Sequence, residues 1–385
     1  MDYTQLFWPD LSASVYVSVF SSGNNTENSA SESHTVIELN DKCADAKTQF
    51  ENIEKAISRL KKTIALQHPV LICKRYFLSD AINQEIFIDR ENNDAAISIV
   101  QQPPLNGTKV SLWAYWVDNC SVKRNALNAV IMERPAYTHL FNMQMHSHAV
   151  DEYCQTVEIF ENYEFLLNAN RCSLKDNAIR TWIYVQGVDT HYADMVKARR
   201  IFFEQRGLTP ETHYIASTGI EGKYMHPETT VLMDAYSIAN LSPEQITYLK
   251  GATHLNPTHE YGVTFERATA VDYGDRRHIF VSGTASIDNQ GQIVHPLQID
   301  RQIDRTFENI TILLAEAGAE MDDVAQMIVY LRDVADYELT LDYMRKHYPC
   351  IPGVIVWAPV CRTGWLVEIE CIAIKKIENN AFTNF

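Results

Sequence analysis

The stretch from Ala358 to Ile374, APVCRTGWLVEIECIAI, contains the residue types best suited to chemistry. Its second half alternates apolar and polar residues like a half-buried strand, yet it carries two carboxylates, Glu368 and Glu370. Side chains two positions apart point to the same face of a strand. A carboxyl group among apolar neighbours keeps its proton near neutral pH, because burial disfavours the charged form. The pattern therefore predicts either a general acid or a solvated strand carboxylate.

A comparison within the chain separates the two carboxylates. The strand-like run TVLMDAYSI superposes on LVEIECIAI, which places Leu232 at the position of Glu368 and Asp234 at that of Glu370. A carboxylate present in only one of two copies is what a single active site predicts. Drift after a duplication would give the same pattern, so both interpretations stay open.

These strands belong to an order that occurs twice: strands, helix, strand, helix, strand, strand. The later copy opens with a hairpin that turns at Gly274 and continues with the helix QIDRQIDRTFENITILLAEAG, whose apolar residues form one stripe. We therefore predict an α+β fold of two halves, each a mixed β-sheet with helices packed on one face. Residues 1–245 would form an enlarged, degenerate N-terminal domain, and residues 246–385 a C-terminal domain that carries the acid.

The composition excludes several classes of function. The chain has 385 residues and a net charge of −16, which disfavours nucleic acid as a partner because phosphate must be neutralised by cations. It has no apolar run of about 18 residues, so no membrane span is predicted. The N-terminal MDYTQLFWPD lacks the features of a secretion signal, and the eight cysteines show no CxxC spacing. Reduced thiols in the cytoplasm are the simplest interpretation.

The sequence predicts neither a metal nor a cofactor. His146 and His148 alternate in MHSH, but no third ligand accompanies them. No glycine pattern of a dinucleotide site or a P-loop is present. We expect the partner to be a small molecule.

Four motifs between Phe265 and Lys375 resemble the Rid (YjgF-like) superfamily: FVSGTASID, DRTFENITILLAEAG, VYLRDV and LVEIECIAI. The resemblance implies a chorismate-mutase-like unit, with a small sheet and two helices on one face, and trimers with clefts between subunits. Ordinary members are imine deaminases that hold a substrate carboxylate with an arginine shortly after a proline. Gly353 and Val354 occupy that place here, which disfavours imine deamination.

A longer branch of that superfamily, the chorismatases, is similar over most of the chain beyond Gln101. The resemblance rests on QQPPLNGTKVSLWAYWV, RTWIYV, ARRIFFEQRG, YIASTGIEG, SGTASI and VCRTGWLVEIE. Chorismatases cleave the enol ether of chorismate and release pyruvate with a dihydrodiol acid or a hydroxybenzoate. The resemblance implies that Glu368 protonates the enolpyruvyl methylene. It also implies that Cys361 belongs to the type that forms 3-hydroxybenzoate, alone or with the 4-isomer, although a free cysteine is equally often a small core residue.

Chorismate carries two carboxylates, so an acidic protein must supply local arginines to bind it. Arg180 in RTWIYV is the first candidate, and Arg362 either binds substrate or pairs with a nearby acid. Arg199 and Arg200 are expected to form surface pairs. The remaining candidates for substrate contacts surround a turn of small residues: Tyr214, Ser217, Thr218, Gly219 and Tyr224. The two tyrosines are equally compatible with core or edge positions.

Two alternatives to a chorismatase remain, an imine deaminase and a non-catalytic protein that binds a small acid. The duplication is compatible with a monomer that has internal pseudo-symmetry or with a homotrimer.

Overall fold

Three six-stranded sheets follow one another along the chain. The structure is a computed structural model that describes residues 1–22, 30–90, 94–125 and 129–385. We name the three units repeat 1 (residues 2–118), repeat 2 (121–239) and repeat 3 (246–376).

The elements of repeat 1 are β1 (Asp2–Trp8), β2 (Ala13–Phe20), β3 (Glu32–Leu39), α1 (Ala46–Thr63), β4 (Pro69–Leu78), α2 (Ala81–Gln84), β5 (Ala96–Gln101) and β6 (Val110–Asp118). Those of repeat 2 are β7 (Ser121–Arg124), β8 (Val130–Glu133), β9 (Thr138–His146), α3 (Glu152–Ala169), α4 (Leu174–Asn177), β10 (Ala178–Val185), α5 (Val188–Glu204), β11 (Ala216–Glu221) and β12 (Val231–Ala239). Those of repeat 3 are β13 (Ile246–Leu249), β14 (Ala268–Asp272), β15 (Arg276–Ala285), α6 (Ile299–Glu316), β16 (Val324–Leu331), α7 (Tyr337–His347), β17 (Gly353–Trp357) and β18 (Val367–Lys376).

All three sheets have the same topology. The strands of each repeat lie in the order first, second, third, sixth, fourth, fifth. The fourth and fifth strands are parallel and the other neighbours are antiparallel. A parallel pair needs a crossover connection, and α2, α5 and α7 supply it. A longer helix joins the third strand to the fourth in every repeat.

The apolar stripe predicted for α6 is confirmed. Ile303, Phe307, Ile310 and Leu314 are all buried against the sheet of repeat 3. The helix ends before Gly318, whose φ of +71° is a left-handed conformation that a residue without a Cβ adopts readily.

The predicted α+β class and the repeated unit are confirmed, but the number of units is three instead of two. Residues 1–245 contain two complete sheets and are not one enlarged unit. The sequence analysis did not recognise the first of these sheets as a repeat. Its sixth strand, Val110–Asp118, has Trp113 where the sixth strands of the other two repeats have a carboxylate. The division into domains at residue 245 stays a prediction.

The three repeats close into a ring. The fifth strand of each repeat packs against the third strand of the next: β5 against β9, β11 against β15, and β17 against β3. At each junction a loop residue of the next repeat forms a backbone bridge to the fifth strand or its end, in the pairs Gln101–Lys223, Ile220–Val360 and Val356–Pro104. We call the three junctions cleft 1/2, cleft 2/3 and cleft 3/1, after the repeats that form them.

No helix in the described part of the chain is both long and apolar enough to cross a bilayer. All eight cysteines are free thiols.

Candidate active site

Glu368, the second residue of β18, lies in cleft 2/3. Its side chain is 5% exposed and borders a small hollow that opens to solvent. Burial, and next the charge of Glu370, raise the pKa of Glu368 to about 8, against the opposing effect of Arg180 and Arg267. The carboxyl group therefore holds its proton at neutral pH, as a general acid must.

Gly283 on β15 allows the carboxyl group of Glu368 to approach the backbone. A Cβ atom at residue 283 would overlap Oε1 of Glu368 and stand 2.8 Å from its Cδ. The glycine of the SGTASI motif thus has a steric function at this position, because any larger residue would displace the acid.

Glu370 lies behind Glu368 and is 1% exposed. It forms an ion pair with Arg180, whose Nη2 is 2.8 Å from Oε2, and it accepts a hydrogen bond of 2.7 Å from Trp182 Nε1. The hydroxyl of Thr218 also donates to it. Since a buried charge is costly unless it is paired, these contacts stabilise the carboxylate.

Arg180 and Thr218, which the sequence predicts to bind substrate, are therefore directed at Glu370. Arg180 is 1% exposed and does not border the hollow. Thr218 accepts a 2.9 Å hydrogen bond from the N–H of Gly283, so it also holds the strand that carries this glycine.

Cys361 borders the hollow together with Glu368. Burial, followed by the charge of Glu368, raises the pKa of the thiol to about 12. The thiol is therefore neutral at physiological pH and is not a thiolate nucleophile. It hydrogen-bonds with Tyr192 of α5, which also borders the hollow.

Arg362 contributes a cation to the same wall. Its guanidinium lies 4.5 Å from the ring centroid of Tyr261 and 5.0 Å from that of Trp365, and Nη1 is 3.4 Å from the carbonyl oxygen of Gly291. Stacking on two aromatic rings orients the guanidinium beside the hollow.

Arg199 is the main correction to the predicted site. The sequence analysis places it on the surface with Arg200, but its side chain is 1% exposed. Nε is 3.2 Å from the hydroxyl of Thr264, Nη1 is 3.5 Å from that of Ser217, and Nη2 has no partner among the described residues. Arg200 is exposed as predicted.

Within the described part of the chain, no carboxylate forms an ion pair with Arg199. The groups that act on its charge are Tyr192, Cys361 and Tyr261, all of which border the hollow. A buried guanidinium without a counter-ion is unfavourable, so an anionic ligand is the natural partner. Arg199 lies on the apolar stripe of α5, one turn from the buried Met195 and Phe203. This position is the sequence signal that could have identified Arg199 as a buried residue.

Arg267 is a second cation that the sequence analysis missed. It is 5% exposed, donates to the carbonyl and amide oxygens of Asn256, and borders the hollow. Its charge lowers the pKa of Glu368. No sequence signal marks it, since it lies in an irregular segment just before β14.

Gly219 and Ser217 also border the hollow, and the ring of Tyr192 packs directly on Gly219. The two predicted tyrosines lie elsewhere. Tyr214 faces a neighbouring groove, and Tyr224 packs against His146 in cleft 1/2, with ring centroids 4.6 Å apart. The structure thus brings Glu368, Cys361, Arg362 and Gly219 together and leaves both tyrosines outside.

Over residues 1–22, 30–90, 94–125 and 129–385, no group of three or more histidine, cysteine, aspartate or glutamate side chains is arranged to hold a metal ion. His146 and His148 lie near His226 in cleft 1/2, with ring centroids 5.4 to 6.1 Å apart.

Comparisons with known proteins identify the family of repeat 3. Residues 266–375 match the family model described as Endoribonuclease L-PSP. A RutC family protein of Pyrococcus abyssi is 37% identical over 103 residues, which are 26% of this chain and 79% of that protein. The 3-aminoacrylate deaminase RutC of Acinetobacter baylyi is 30% identical over 71 residues, 18% of this chain and 56% of that protein.

The fold of most of the chain is similar to a crystal structure of a chorismatase. The TM-score is 0.63 at 17% sequence identity, and the likeness covers 79% of this chain and 92% of the chorismatase. At this identity the comparison establishes the fold. The sequence match of repeat 3 shows that this chain belongs to the RutC, or Rid, family. The fold comparison shows that the chain has the long architecture seen in a chorismatase.

Proposed function

We propose that the protein is a chorismatase, which cleaves the enol ether of chorismate to pyruvate and a hydroxybenzoate. The observation that carries the proposal is that a carboxyl group that stays protonated, Glu368, lies on the wall of a hollow, while a buried guanidinium that lacks a counter-ion, Arg199, lies behind Ser217 of the same wall. A site built in this way suits an anionic substrate that must receive a proton.

The chemistry requires such an acid. Protonation of the enolpyruvyl methylene carbon by Glu368 gives an oxocarbenium ion that the ether oxygen stabilises. Proton transfer to carbon is slow, so a general acid held at the reacting carbon contributes about 10²- to 10⁴-fold to the rate. Loss of the side chain as pyruvate and aromatisation of the ring give hydroxybenzoate. The atoms of chorismate equal those of the two products, and no redox step is involved.

The arginines supply the binding energy. Chorismate is a dianion and the protein carries a net charge of −16, so the cations must be local. Arg267 and Arg362 border the hollow, Arg199 lies behind Ser217 of its wall, and none of the three forms an ion pair within the described residues. Two of them suffice for the two carboxylates, through charge-assisted hydrogen bonds.

The neutral thiol of Cys361 favours the aromatic product. A thiol of this size occupies space beside Glu368 that a water molecule would otherwise fill, and it does not compete as a nucleophile. We therefore assign 3-hydroxybenzoate: the ring hydroxyl attacks the neighbouring ring carbon, the bond from that carbon to the ether oxygen breaks so that the protonated side chain leaves as pyruvate, and loss of a ring proton makes the ring aromatic. Attack by water would give the dihydrodiol acid.

A purified sample mixed with chorismate tests the proposal through pyruvate, followed by coupled oxidation of NADH. The wild-type protein should release pyruvate, and Glu368→Gln should not, because an amide cannot donate a proton to carbon. Chromatography should identify 3-hydroxybenzoate as the second product. Absence of pyruvate above background from folded wild-type protein would refute the assignment, and ammonia release from a 2-iminoacid would support a deaminase in its place.

We also propose that a single chain acts as a cytoplasmic monomer, because its three repeats already form the closed ring that separate subunits would provide. Light scattering of the purified protein should give the mass of one chain, 44.0 kDa. A mass three times larger would refute this.

A further inference from the structure

A groove beside the hollow lies between repeats 2 and 3. Its volume is about 400 Å³, which is the size of many small-molecule sites. The segment that follows α5 forms one side and contributes Tyr214, and β13 with the connection from β13 to β14 forms the other. Phe265 and Arg267 border both the groove and the hollow. The two recesses are therefore neighbours with a shared wall.

The connection between β13 and β14 supplies most of the lining of the groove. It has 18 residues, 250–267, whereas the same connection in repeat 1 has four, 9–12. Arg267 donates hydrogen bonds of 3.0 and 3.1 Å to the carbonyl and amide oxygens of Asn256, which closes the connection into a compact loop. The N–H of Glu266 donates to a backbone carbonyl of repeat 2 at 3.1 Å. The extra residues of repeat 3 are thus held in place, and the groove is preformed.

The groove is cationic although the protein is acidic. Lys250, His259 and Arg267 line it, and none of them forms an ion pair within the described residues. Among the described residues of the lining, Glu266 is the one carboxyl group, and the N–H of Tyr214 donates to its Oε1 at 2.7 Å. Burial raises the pKa of Glu266, which favours its neutral form. The groove therefore attracts an anion locally, although the net charge of −16 repels anions from the protein as a whole.

Arg267 is the buried cation that the groove and the hollow share. It is 5% exposed, and its Nε and Nη2 donate to Asn256. Its Nη1 donates to no residue that the structure describes. A buried guanidinium with an unused N–H group is unfavourable until it meets an acceptor, so a carboxylate is a natural partner.

Aromatic rings give the groove flat apolar surfaces. Tyr248 of β13 stacks on His213, with ring centroids 4.2 Å apart and planes 9° from parallel. Tyr214 and Phe265 border the groove as well. Rings of this kind favour a planar ligand, because stacked and edge-to-face contacts add to the burial of apolar area.

We propose that this groove is a second binding site, which takes a small aromatic carboxylate and shares Arg267 with the hollow. Lys250 is exposed and attracts the carboxylate from solvent, and Nη1 of Arg267 donates a charge-assisted hydrogen bond to it. The rings of Tyr214, Tyr248 and Phe265 contact the aromatic part of the ligand. A ligand held here lies next to the shared wall, so the groove collects acids close to the hollow. The inference does not rest on the proposed function, because binding is measured without turnover.

The experiment uses 3-fluorobenzoate as the probe and fluorine NMR of the intact chain at pH 7. Wild-type protein should show a bound resonance from the groove. Lys250→Met should weaken binding about threefold, because an exposed cation contributes little, and Tyr248→Ala about tenfold, because a stacking surface is lost. Arg362→Met, which changes the lining of the hollow alone, should leave this resonance in place. If the hollow also binds the probe, a second resonance should respond to Arg362→Met and not to Lys250→Met, and Arg267→Met should weaken both.

Lys346→Met is the matched control, because it removes an exposed cation of repeat 3 that lies on α7, outside the groove, and it should change nothing. The proposal is overturned by the absence of a bound resonance, by a resonance insensitive to both Lys250→Met and Tyr248→Ala, or by an equal loss with Lys346→Met. A single resonance that responds to Lys250→Met and not to Arg362→Met would support the groove and show that the hollow does not bind such an acid. Lys250 is exposed, so its replacement should leave the fold intact, and circular dichroism checks this.

Discussion

Cleft 2/3 and cleft 1/2 have the same architecture but differ at the ladder position of the acid. Glu368 faces cleft 2/3, whereas Leu232 occupies the equivalent position in cleft 1/2. Two residues further along, both repeats have a buried carboxylate, Glu370 in one and Asp234 in the other. Asp234 accepts hydrogen bonds from Ser98 and from Arg75, whose Nη2 is 3.3 Å away.

The comparison separates structural from catalytic carboxylates. The carboxylate that both repeats have, Asp234 or Glu370, is paired with an arginine and accepts hydrogen bonds from polar donors in each case. Its function is therefore to hold the centre of the ring together. The position that differs has an acid without a hydrogen-bond partner in the described chain, directed into a hollow. Catalysis is expected at a position of this second kind, because its buried polar group has no partner in the described part of the protein and is free to contact a ligand.

The largest effect should come from making the two clefts alike. Glu368→Leu introduces the residue of cleft 1/2 into cleft 2/3 and should reduce pyruvate release by about 10²-fold or more, because the proton donor is lost. Thermal unfolding should show equal or higher stability, since a buried ionisable group is replaced by an apolar one. Substantial turnover by a well-folded variant would show that another group is the acid.

Removal of the uncompensated guanidinium should have the next largest effect. Arg199→Met is expected to lower kcat/KM for chorismate by about 10- to 100-fold, because a charge-assisted contact to a carboxylate is lost. Arg200→Met is the control, as it removes the exposed neighbour on α5. Equal effects of the two substitutions would contradict a specific binding role for Arg199.

Glu370→Gln should shift the pH dependence and leave the chemistry intact. Glu368 acts in its protonated form, so the rate falls as pH rises through its pKa of about 8. Loss of the negative charge at residue 370 lowers that pKa, and the alkaline limb of the rate profile moves to lower pH. A shift of one unit would reduce kcat/KM about fivefold at pH 8 and little at pH 6.

Asp234→Asn provides the comparison for this prediction. It removes the equivalent carboxylate in repeat 2, which does not act on Glu368, so the alkaline limb should stay in place. A shift of the same size in both variants would mean that the whole ring centre, and not Glu370 alone, sets the acidity of Glu368.

The smallest effect should be on product distribution. Cys361→Ala opens space beside Glu368, so part of the product should change from 3-hydroxybenzoate to the dihydrodiol acid while pyruvate release falls a few-fold at most. Cys371→Ala, which removes a buried thiol of β18, should leave the product ratio unchanged. Chromatography of both reaction mixtures measures the ratio.

The sequence was informative where pattern and local chemistry coincide. The alternation around Glu368 leaves a buried acid and a solvated carboxylate open, and the structure buries the side chain. The apolar stripe of α6 predicts a helix that the structure has at Ile299–Glu316. The superposition that gave Leu232 the position of Glu368 agrees with the observed ladders.

Residues that act across repeats could not be predicted from spacing. Arg180 is far from Glu370 in the chain, and their ion pair exists only because repeats 2 and 3 meet at the ring centre. Arg267 lies outside regular structure, so no periodicity marks it. Repeat 1 was missed since Trp113 fills, by apolar packing, the place that its counterparts fill with a charge.

The covalent connection of the three repeats has a consequence for how such a protein can change. In an assembly of identical subunits every substitution appears three times, so an acid that benefits one junction also disturbs the other two. Here each junction is encoded separately. One junction can acquire a proton donor while the other two keep leucine or serine at the same position. A single junction can therefore become an active site without any change in the fold that all three repeats share.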